Sequence, residues 1–190
     1  MPQQIYAIGD IHGQMGMLDT ALQLIESDGG AGAAVVFLGD YTDRGPDSKA
    51  GLEGLINGQS QGRNWHFVKG NHDRMFEWFL ETPSRPDPYL LIEYSWLHPR
   101  LGGAETLQSY DINMGKPWRF MDLHAAALQH VPHAHYEFLR DLPLFYDTDD
   151  IFFTHAGIRP GVPLKAQDEQ DLLWIRQEFH TATTPPQYPD

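Results

Sequence analysis

The chain has 190 residues, of which 41% are hydrophobic, and this is enough for one domain with a sizeable core. It has no cysteine, which excludes a disulfide framework, a thiolate nucleophile and a cysteine-based zinc site, so any metal must be held by His, Asp, Glu or Asn. The net charge of -13 argues against nucleic acid and anionic membranes as partners, because both need a basic surface that neutralises their phosphates.

Three strand-and-helix units are predicted in the first 80 residues. Each unit begins with an apolar run (QIYAIGD, AVVFLGD and WHFVKGN), continues through a short polar turn and ends in a segment with helical periodicity. The three helices are expected near residues 17–25, 47–57 and 72–80. This alternation indicates a βαβαβ arrangement whose strands are buried on both faces.

Residues 81–141 are predicted to be mostly helical and to form a cap over one end of the sheet. After the break TPSRPDP, we expect a helix through YLLIEYSWL, a second introduced by the glycine pair of GGAETLQSY, and a longer pair in RFMDLHAAALQH and HYEFLRDL. The next segment, LPLFYDTDDIFFTHAG, predicts a hairpin around an acidic turn, and EQDLLWIRQEF predicts a further helix. The tail TATTPPQYPD predicts no regular element.

Three polar clusters follow the three predicted strands directly: GDIHG at 9–13, GDYTDRG at 39–45 and GNHD at 70–73. On its own, each cluster is also compatible with an ordinary turn, in which Gly supplies a positive φ and Asp bonds to the backbone. The carboxyl ends of neighbouring parallel strands meet at one edge of a sheet, which is where ligands bind. Their regular spacing therefore predicts that the three clusters form one site.

These clusters, with THAG at 154–157 and LLWIR at 172–176, resemble the calcineurin-like metallophosphoesterases, and within them the bacterial branch of the serine/threonine phosphoprotein phosphatases. The resemblance runs from residue 9 to residue 176. It implies a layered α/β/β/α sandwich, an α/β fold class, with one metallophosphatase domain over residues 1–190. Family members continue through strands with a GHT-type motif that supplies a further metal ligand, so we expect a C-terminally short chain whose second metal lacks one ligand.

A centre of two divalent metal ions is implied by the same resemblance. Mn²⁺ is the first expectation, with Fe or Zn²⁺ as alternatives, because oxygen ligands with a few imidazoles suit these ions. An amide ligand in place of a third carboxylate leaves the centre with positive charge that attracts a phosphate dianion. The implied ligands are Asp10 and His12 for the first ion, Asp40 as the bridge, and Asn71 and His155 for the second ion.

Four further residues receive catalytic roles from the resemblance. His72 would be the general acid, and Asp43 would orient its imidazole and hold it protonated. Arg44 and Arg176 would bind phosphate oxygens, since a guanidinium pairs with them in a planar, bidentate manner. Asp73 stands where this branch more usually has Glu, and we interpret it as a charge that complements the dipole of the following helix.

The implied activity is that of a phosphomonoesterase, in which a hydroxide bridging the two ions attacks phosphorus in line. The favoured substrate is phosphoserine or phosphothreonine in a protein. Two alternatives stay open: a dinucleoside polyphosphate hydrolase similar to the symmetrical diadenosine tetraphosphatases, and a catalytically impaired module that binds phosphoproteins. The chain has no apolar stretch of about 18 residues and no signal-peptide pattern at MPQQIYAIGDIHG, so we expect a cytoplasmic protein.

The remaining histidines and aromatic residues are expected to serve packing or surface roles. Gly102–Gly103 favours a tight turn and helix N-cap over a phosphate-binding helix terminus. Histidines of this kind include His98, His124, His130, His133, His135 and His180. The aromatic residues assigned to the core or cap are Trp78, Phe79, Tyr94 and Trp96.

Overall fold

A computed structural model describes residues 4–183 and has a mixed α/β architecture. A parallel sheet and its connecting helices occupy the first 80 residues, and helices followed by a hairpin occupy most of the rest. The elements in chain order are β1 (Ile5–Ile8), α1 (Met15–Gly29), β2 (Ala34–Phe37), α2 (Ser48–Ser60), β3 (Trp65–Phe67), α3 (Asn71–Leu80), α4 (Gly103–Ser109), α5 (Phe120–His130), α6 (His133–Asp141), β4 (Phe145–Asp147), β5 (Phe152–Thr154), α7 (Glu169–Trp174) and α8 (Gln177–His180).

The first sheet confirms the predicted βαβαβ arrangement. Its strands are parallel in the order β1-β2-β3, with Ile8 opposite Phe37 and Phe37 opposite Phe67. Burial on both faces holds for β2, all four of whose residues are buried, but β1 and β3 are only partly buried. Each of these two strands has a neighbour on one side only within residues 4–183, which leaves its outer side more open.

Helix α3 is the central element of the core. Nine of its ten residues are buried, and they include the polar residues of the GNHD cluster at its first turn. Phe76 is fully buried and stacks on Trp96, while Phe37 stacks on Phe67 on the sheet side of the core. Each fully buried side chain of this size stabilises the fold by roughly 1.5–3 kcal/mol. The start of α3 is thus held in place by the core itself.

The predicted helix through YLLIEYSWL is wrong, because residues 84–102 form turns and irregular backbone. Tyr89 N–H donates to the Asp87 carboxylate at 2.9 Å, a local turn that competes with helix formation. A helix needs a neighbour for its apolar face, but Leu91 and Ile92 are exposed and Trp96 alone is deeply buried. The helices predicted after this segment are all present as α4, α5 and α6.

The predicted hairpin is confirmed, with β4 antiparallel to β5 and Phe145 opposite Thr154. Its strands lead directly to His155, which follows the last residue of β5. The helix predicted over EQDLLWIRQEF is instead divided into α7 and α8, because Arg176 has non-helical backbone angles (φ -138, ψ -86). Most of the predicted tail lies outside the described residues, and none of the described helices is long and apolar enough to cross a membrane.

Candidate active site

The loops that follow β1, β2 and β3 are joined to one another by backbone hydrogen bonds. Ile11 N–H and His12 N–H both donate to the carbonyl of Asp40, at 3.0 and 2.8 Å. His72 N–H, at the start of α3, donates to the Asp40 side chain at 3.0 Å. Asp40 therefore lies at the meeting point of all three loops, as the spacing of the clusters predicted.

The other four predicted metal ligands lie around the two carboxylate oxygens of Asp40. Oδ2 is 3.5 Å from His12 Nε2, which is 3.7 Å from Asp10 Oδ2. Oδ1 is 3.5 Å from His155 Nε2, which is 2.9 Å from Asn71 Oδ1. One oxygen thus faces each predicted ligand pair.

The two imidazoles present the correct nitrogen for binding a cation. His12 Nδ1 lies 2.7 Å from the Thr42 carbonyl and His155 Nδ1 lies 2.8 Å from the Leu38 carbonyl. A carbonyl can only accept, so both Nδ1 atoms carry the proton, and in a neutral ring each Nε2 atom then has a lone pair. The lone pair of His155 faces another acceptor, Asn71 Oδ1 at 2.9 Å, and a cation bound by both atoms would remove the repulsion between them. Burial lowers the pKa of His12, which favours the neutral form, although the Thr42 carbonyl and the charge of Asp40 oppose this effect.

These residues fit divalent metal ions on their own chemistry. The Nε2 atom of His12 is buried and has no hydrogen-bond partner among the described residues, although a buried polar atom is normally satisfied. Asp10, Asp40 and His155 offer ligand atoms within 4.8 Å of one another, and so do His12, Asp40 and His72. Carboxylate, amide and imidazole ligands suit Mn²⁺, Fe or Zn²⁺.

A buried histidine–carboxylate pair adjoins this group. His72 Nδ1 is 2.6 Å from Asp43 Oδ2, and both side chains are almost completely buried. Burial alone lowers the pKa of His72, but the hydrogen bond to Asp43 and the charges of Asp40 and Asp43 outweigh it, so the pKa lies above its ordinary value. Since Asp43 occupies Nδ1, Nε2 is the ring nitrogen of His72 that other partners can reach.

The two predicted phosphate-binding arginines differ in their surroundings. Arg44 Nη2 lies 3.1 Å from His72 Nε2, so this guanidinium already reaches the centre of the site. A guanidinium only donates, and Nε2 therefore accepts in this arrangement. Arg176 is exposed and is the N-cap residue of α8. Arg176 lies in a segment that packs beside the loop of His155. In this segment, Ile175 and Phe179 lie close to Gly157.

Two residues that bind Asp43 were missed by the sequence analysis. The indole Nε1–H of Trp96 donates to Asp43 Oδ2 at 2.8 Å, and the hydroxyl of Thr106 donates to Oδ1 at 2.7 Å. Trp96 was assigned to packing, which is correct for its ring but leaves out this bond. Both residues are distant from Asp43 in sequence, by 53 and 63 positions, and no local motif marks them.

A family model, that of the calcineurin-like phosphoesterases, matches residues 4–187. The match includes every cluster described above. The chain belongs to the calcineurin-like phosphoesterase family. No match was found among curated proteins.

Solved structures of other phosphoesterases share the fold. A proposed diadenosine tetraphosphatase superimposes with a TM-score of 0.60 at 20% identity, over 90% of this chain and 58% of that chain. A protein serine/threonine phosphatase from Saccharomyces cerevisiae with similarity to human phosphatase PP5 has a TM-score of 0.50 at 19% identity, over 92% and 49% of the two chains. This calcineurin-like phosphoesterase thus spans about half the length of these structures. At such identities the likeness concerns the fold alone.

The backbone of this calcineurin-like phosphoesterase is strained at the site. Four site residues that are not glycine have a positive φ: His12, Asp40, Asp43 and Arg44. A left-handed backbone costs such residues about 1 kcal/mol or more each, and it is retained where the surroundings enforce it. These residues lie in the loops after β1 and β2, and their left-handed backbone turns both loops sharply toward the start of α3.

Asp73 has a larger role than the predicted interaction with a helix dipole. It is fully buried, and its carboxylate accepts N–H groups from Gly70 at 2.9 Å, Asp40 at 2.7 Å and Tyr41 at 2.9 Å. Burial and the charge of Asp40 raise the pKa of Asp73 to about 8, against the effect of these three donors. Through these hydrogen bonds, Asp73 connects the loop of Asp40 to the start of α3.

The other residues considered from sequence lie outside the site. Gly102 is the N-cap of α4 with φ 88, which agrees with the preferred interpretation of the glycine pair as a turn and cap. His124 and His135 are buried in the cap, where they bond to the Glu81 carbonyl and to the Tyr110 hydroxyl. The solvent-exposed or half-exposed histidines are His98, His130, His133 and His180.

Proposed function

We propose that this protein is a metal-dependent phosphomonoesterase that uses His72 as general acid. The observation that carries the proposal is the arrangement around Asp40, where Asp10, His12, Asn71 and His155 surround its two oxygens and a His–Asp pair adjoins them. Bound divalent ions, Mn²⁺ by preference, would supply Lewis-acid stabilisation of the phosphoryl oxygens and activation of the attacking water. The protein's own side chains would bind, orient and protonate the substrate.

Arg44 would exchange its contact with His72 for a phosphate oxygen. A phosphate is a better partner for a guanidinium than an imidazole nitrogen, because the bond is charge-assisted and can be bidentate. In the structure, Arg44 Nη2 lies 3.1 Å from His72 Nε2. Movement of Arg44 to the phosphate would leave this nitrogen free. His72 could then carry a proton on Nε2 and donate it to the leaving oxygen, while Asp43 holds Nδ1.

The His72–Asp43 pair favours phosphoserine or phosphothreonine over a dinucleoside polyphosphate as substrate. An alkoxide leaving group is strongly basic and needs a proton as the P–O bond breaks, whereas a nucleotide phosphate leaves readily without one. A buried carboxylate that keeps an imidazole oriented therefore contributes much more in the first case. We therefore propose phosphorylated serine or threonine in a protein as the substrate class.

Kinetics with three substrates test this proposal. The Mn²⁺-loaded protein should hydrolyse p-nitrophenyl phosphate and a phosphoserine peptide faster than diadenosine tetraphosphate, and Fe²⁺ and Zn²⁺ should be compared in parallel. His72→Asn should slow hydrolysis of the phosphoserine peptide by roughly 10²- to 10⁴-fold, the usual contribution of a general acid. The matched control is His133→Asn, since His133 is exposed on α6 and contacts only Glu137 among charged residues described.

Two results would contradict the proposal in different ways. Turnover of diadenosine tetraphosphate alone would make the protein a dinucleoside polyphosphate hydrolase. Binding of the phosphopeptide without turnover, under every metal, would make it a phosphoprotein-binding module.

A further inference from the structure

We propose that the cap segment positions the general acid through Trp96 and Thr106, so that these two residues govern turnover of substrates with poor leaving groups. The proposal rests on the function proposed above, because it assigns Trp96 and Thr106 to the same His72–Asp43 pair. Neither residue would touch the substrate. Each would act as a positioning residue, by fixing the carboxylate that fixes the imidazole.

The carboxylate of Asp43 is bound on all sides. Oδ2 accepts from His72 Nδ1 at 2.6 Å and from Trp96 Nε1–H at 2.8 Å, and Oδ1 accepts from the Thr106 hydroxyl at 2.7 Å. The N–H of Asp43 returns a bond to the Thr106 hydroxyl at 2.8 Å. Asp43 and Thr106 are both fully buried, so water does not compete for these bonds. The two donors from the cap leave the carboxylate a single orientation, with one oxygen directed at His72.

The glycine pair of GGAETLQSY explains how the cap reaches this position. A Cβ on Gly102 would lie 2.2 Å from Arg44 N, and one on Gly103 would lie 2.6 Å from Trp96 Cε2. The Gly102 carbonyl also accepts from Arg44 N–H at 3.3 Å. Only residues without a side chain allow the start of α4 to approach this closely, and the close approach brings Thr106 onto Asp43. The two glycines thus allow the contact between α4 and the loop that carries Asp43 and Arg44.

Trp96 is fixed by packing as well as by its hydrogen bond. Its ring stacks on Phe76 with centroids 5.1 Å apart and lies 4.7 Å from the ring of Phe79. Both phenylalanines belong to α3, the helix that begins with Asn71 and His72. The packed rings of Phe76, Phe79 and Trp96 therefore support both members of the His72–Asp43 pair. The helix α3 carries His72, and Trp96 donates a hydrogen bond to Asp43.

The experiment compares substrates that differ in their need for a proton. Trp96→Phe removes the N–H donor and keeps an aromatic ring for stacking, and Thr106→Val removes the hydroxyl in a side chain of similar shape. Turnover is measured with phenyl phosphate, a poor leaving group, and with p-nitrophenyl phosphate, a good one. Each variant should lose about 10- to 100-fold on phenyl phosphate, as expected for an outer partner of a catalytic group, and much less on p-nitrophenyl phosphate.

Two controls separate positioning from general damage to the cap. Tyr110→Phe removes another buried bond of the cap, the 2.7 Å contact with His135, without touching Asp43, and should slow both substrates equally or not at all. Thr106→Ser keeps the hydroxyl and should restore the phenyl phosphate rate. It also keeps the test decisive if Trp96→Phe fails to fold, because Thr106→Val and Thr106→Ser then form a complete comparison.

A readout independent of turnover is the proton resonance of His72 Nδ1–H in the Zn²⁺-loaded protein. It should shift in Trp96→Phe and Thr106→Val and stay unchanged in Tyr110→Phe. Equal losses on both substrates, with the resonance unmoved, would overturn the inference and leave the proposed function intact. A wild-type protein that hydrolyses neither substrate under any metal would instead reject the proposed function, while the resonance would still report whether the cap orients the pair.

Discussion

Replacing Lys69 with methionine should lower the free energy of unfolding by about 3–5 kcal/mol. Lys69 Nζ donates to Glu77 Oε2 at 2.7 Å and to the Arg140 carbonyl at 3.1 Å, and the side chains of Lys69 and Glu77 are 9% and 8% exposed. This loss of stability is the one expected when one member of a buried ion pair is removed. The variant leaves the Glu77 carboxylate buried without a counter-charge, and the Arg140 carbonyl loses its Lys69 donor. For a chain of this size it corresponds to a loss of roughly 10 °C in the melting temperature.

A double-mutant cycle measured by urea denaturation checks this magnitude. Lys69→Met/Glu77→Leu should recover most of the loss, because replacing both members of a buried pair with apolar side chains is often neutral. The control cycle uses Arg63 and Glu26, which are 3.4 Å apart but 40% and 51% exposed, and should give a coupling below about 1 kcal/mol. If the two cycles give the same coupling, or the double variant is as unstable as the sum of the singles, the reasoning from burial is refuted.

The pH dependence of Lys69→Met provides a second check on the same pair. Burial raises the pKa of Glu77 in the folded protein, and the hydrogen bond from Lys69 opposes this, so removing Lys69 raises the pKa further. A carboxyl whose folded pKa exceeds its unfolded value destabilises the fold above the folded pKa, and the penalty fades as pH falls toward the unfolded value near about 4.3. The gap in stability between wild type and Lys69→Met should therefore narrow on acidification, and a gap that widens would contradict this assignment.

Three further predictions concern the site. Asp40→Asn should abolish turnover and lower the metal content found by elemental analysis, whereas Asp19→Asn on the exposed face of α1 should change neither. Calorimetric titration should give a tight and a weaker ion, because Asp10 offers a carboxylate where Asn71 offers a neutral amide, and two equally tight ions would contradict this. Gly102→Ala should lower both stability and turnover by driving a Cβ to 2.2 Å from Arg44 N, and Gly62→Ala is its control, since φ is similarly positive (74) with nothing within 4 Å.

That three of the candidate metal ligands meet at one edge of the sheet could be predicted from sequence, because their placement is a local property of the sheet. Asp10, Asp40 and Asn71 each follow a strand within a few residues, and parallel strands bring such positions together whatever the rest of the chain does. His155 was implied only by the resemblance of THAG at 154–157, because it follows a strand of the separate antiparallel hairpin, and the pattern of a hairpin does not show where it packs on the parallel sheet.

The cap could not be predicted to the same depth because tertiary contacts decide its structure. YLLIEYSWL has an apolar pattern that suits a helix, but the indole of Trp96 is bound to Asp43 and the Asp87 side chain turns the backbone at Tyr89. The contact of Trp96 joins residues 53 positions apart and has no signature within the segment, and the turn at Tyr89 is made by a residue that precedes the segment. The same long range hides the function of Thr106, whose partner lies 63 residues earlier.

The left-handed backbone at Arg44 lowers the stability of the fold, while the side chain at this position is proposed to serve activity. Arg44 is exposed and has φ 64, so a glycine there would relax the backbone while removing little packing. A library selected only for heat resistance should therefore accumulate glycine at this position and lose turnover as it gains melting temperature. Engineering of this protein for durability would need to hold Arg44 constant, since thermal selection alone favours its loss.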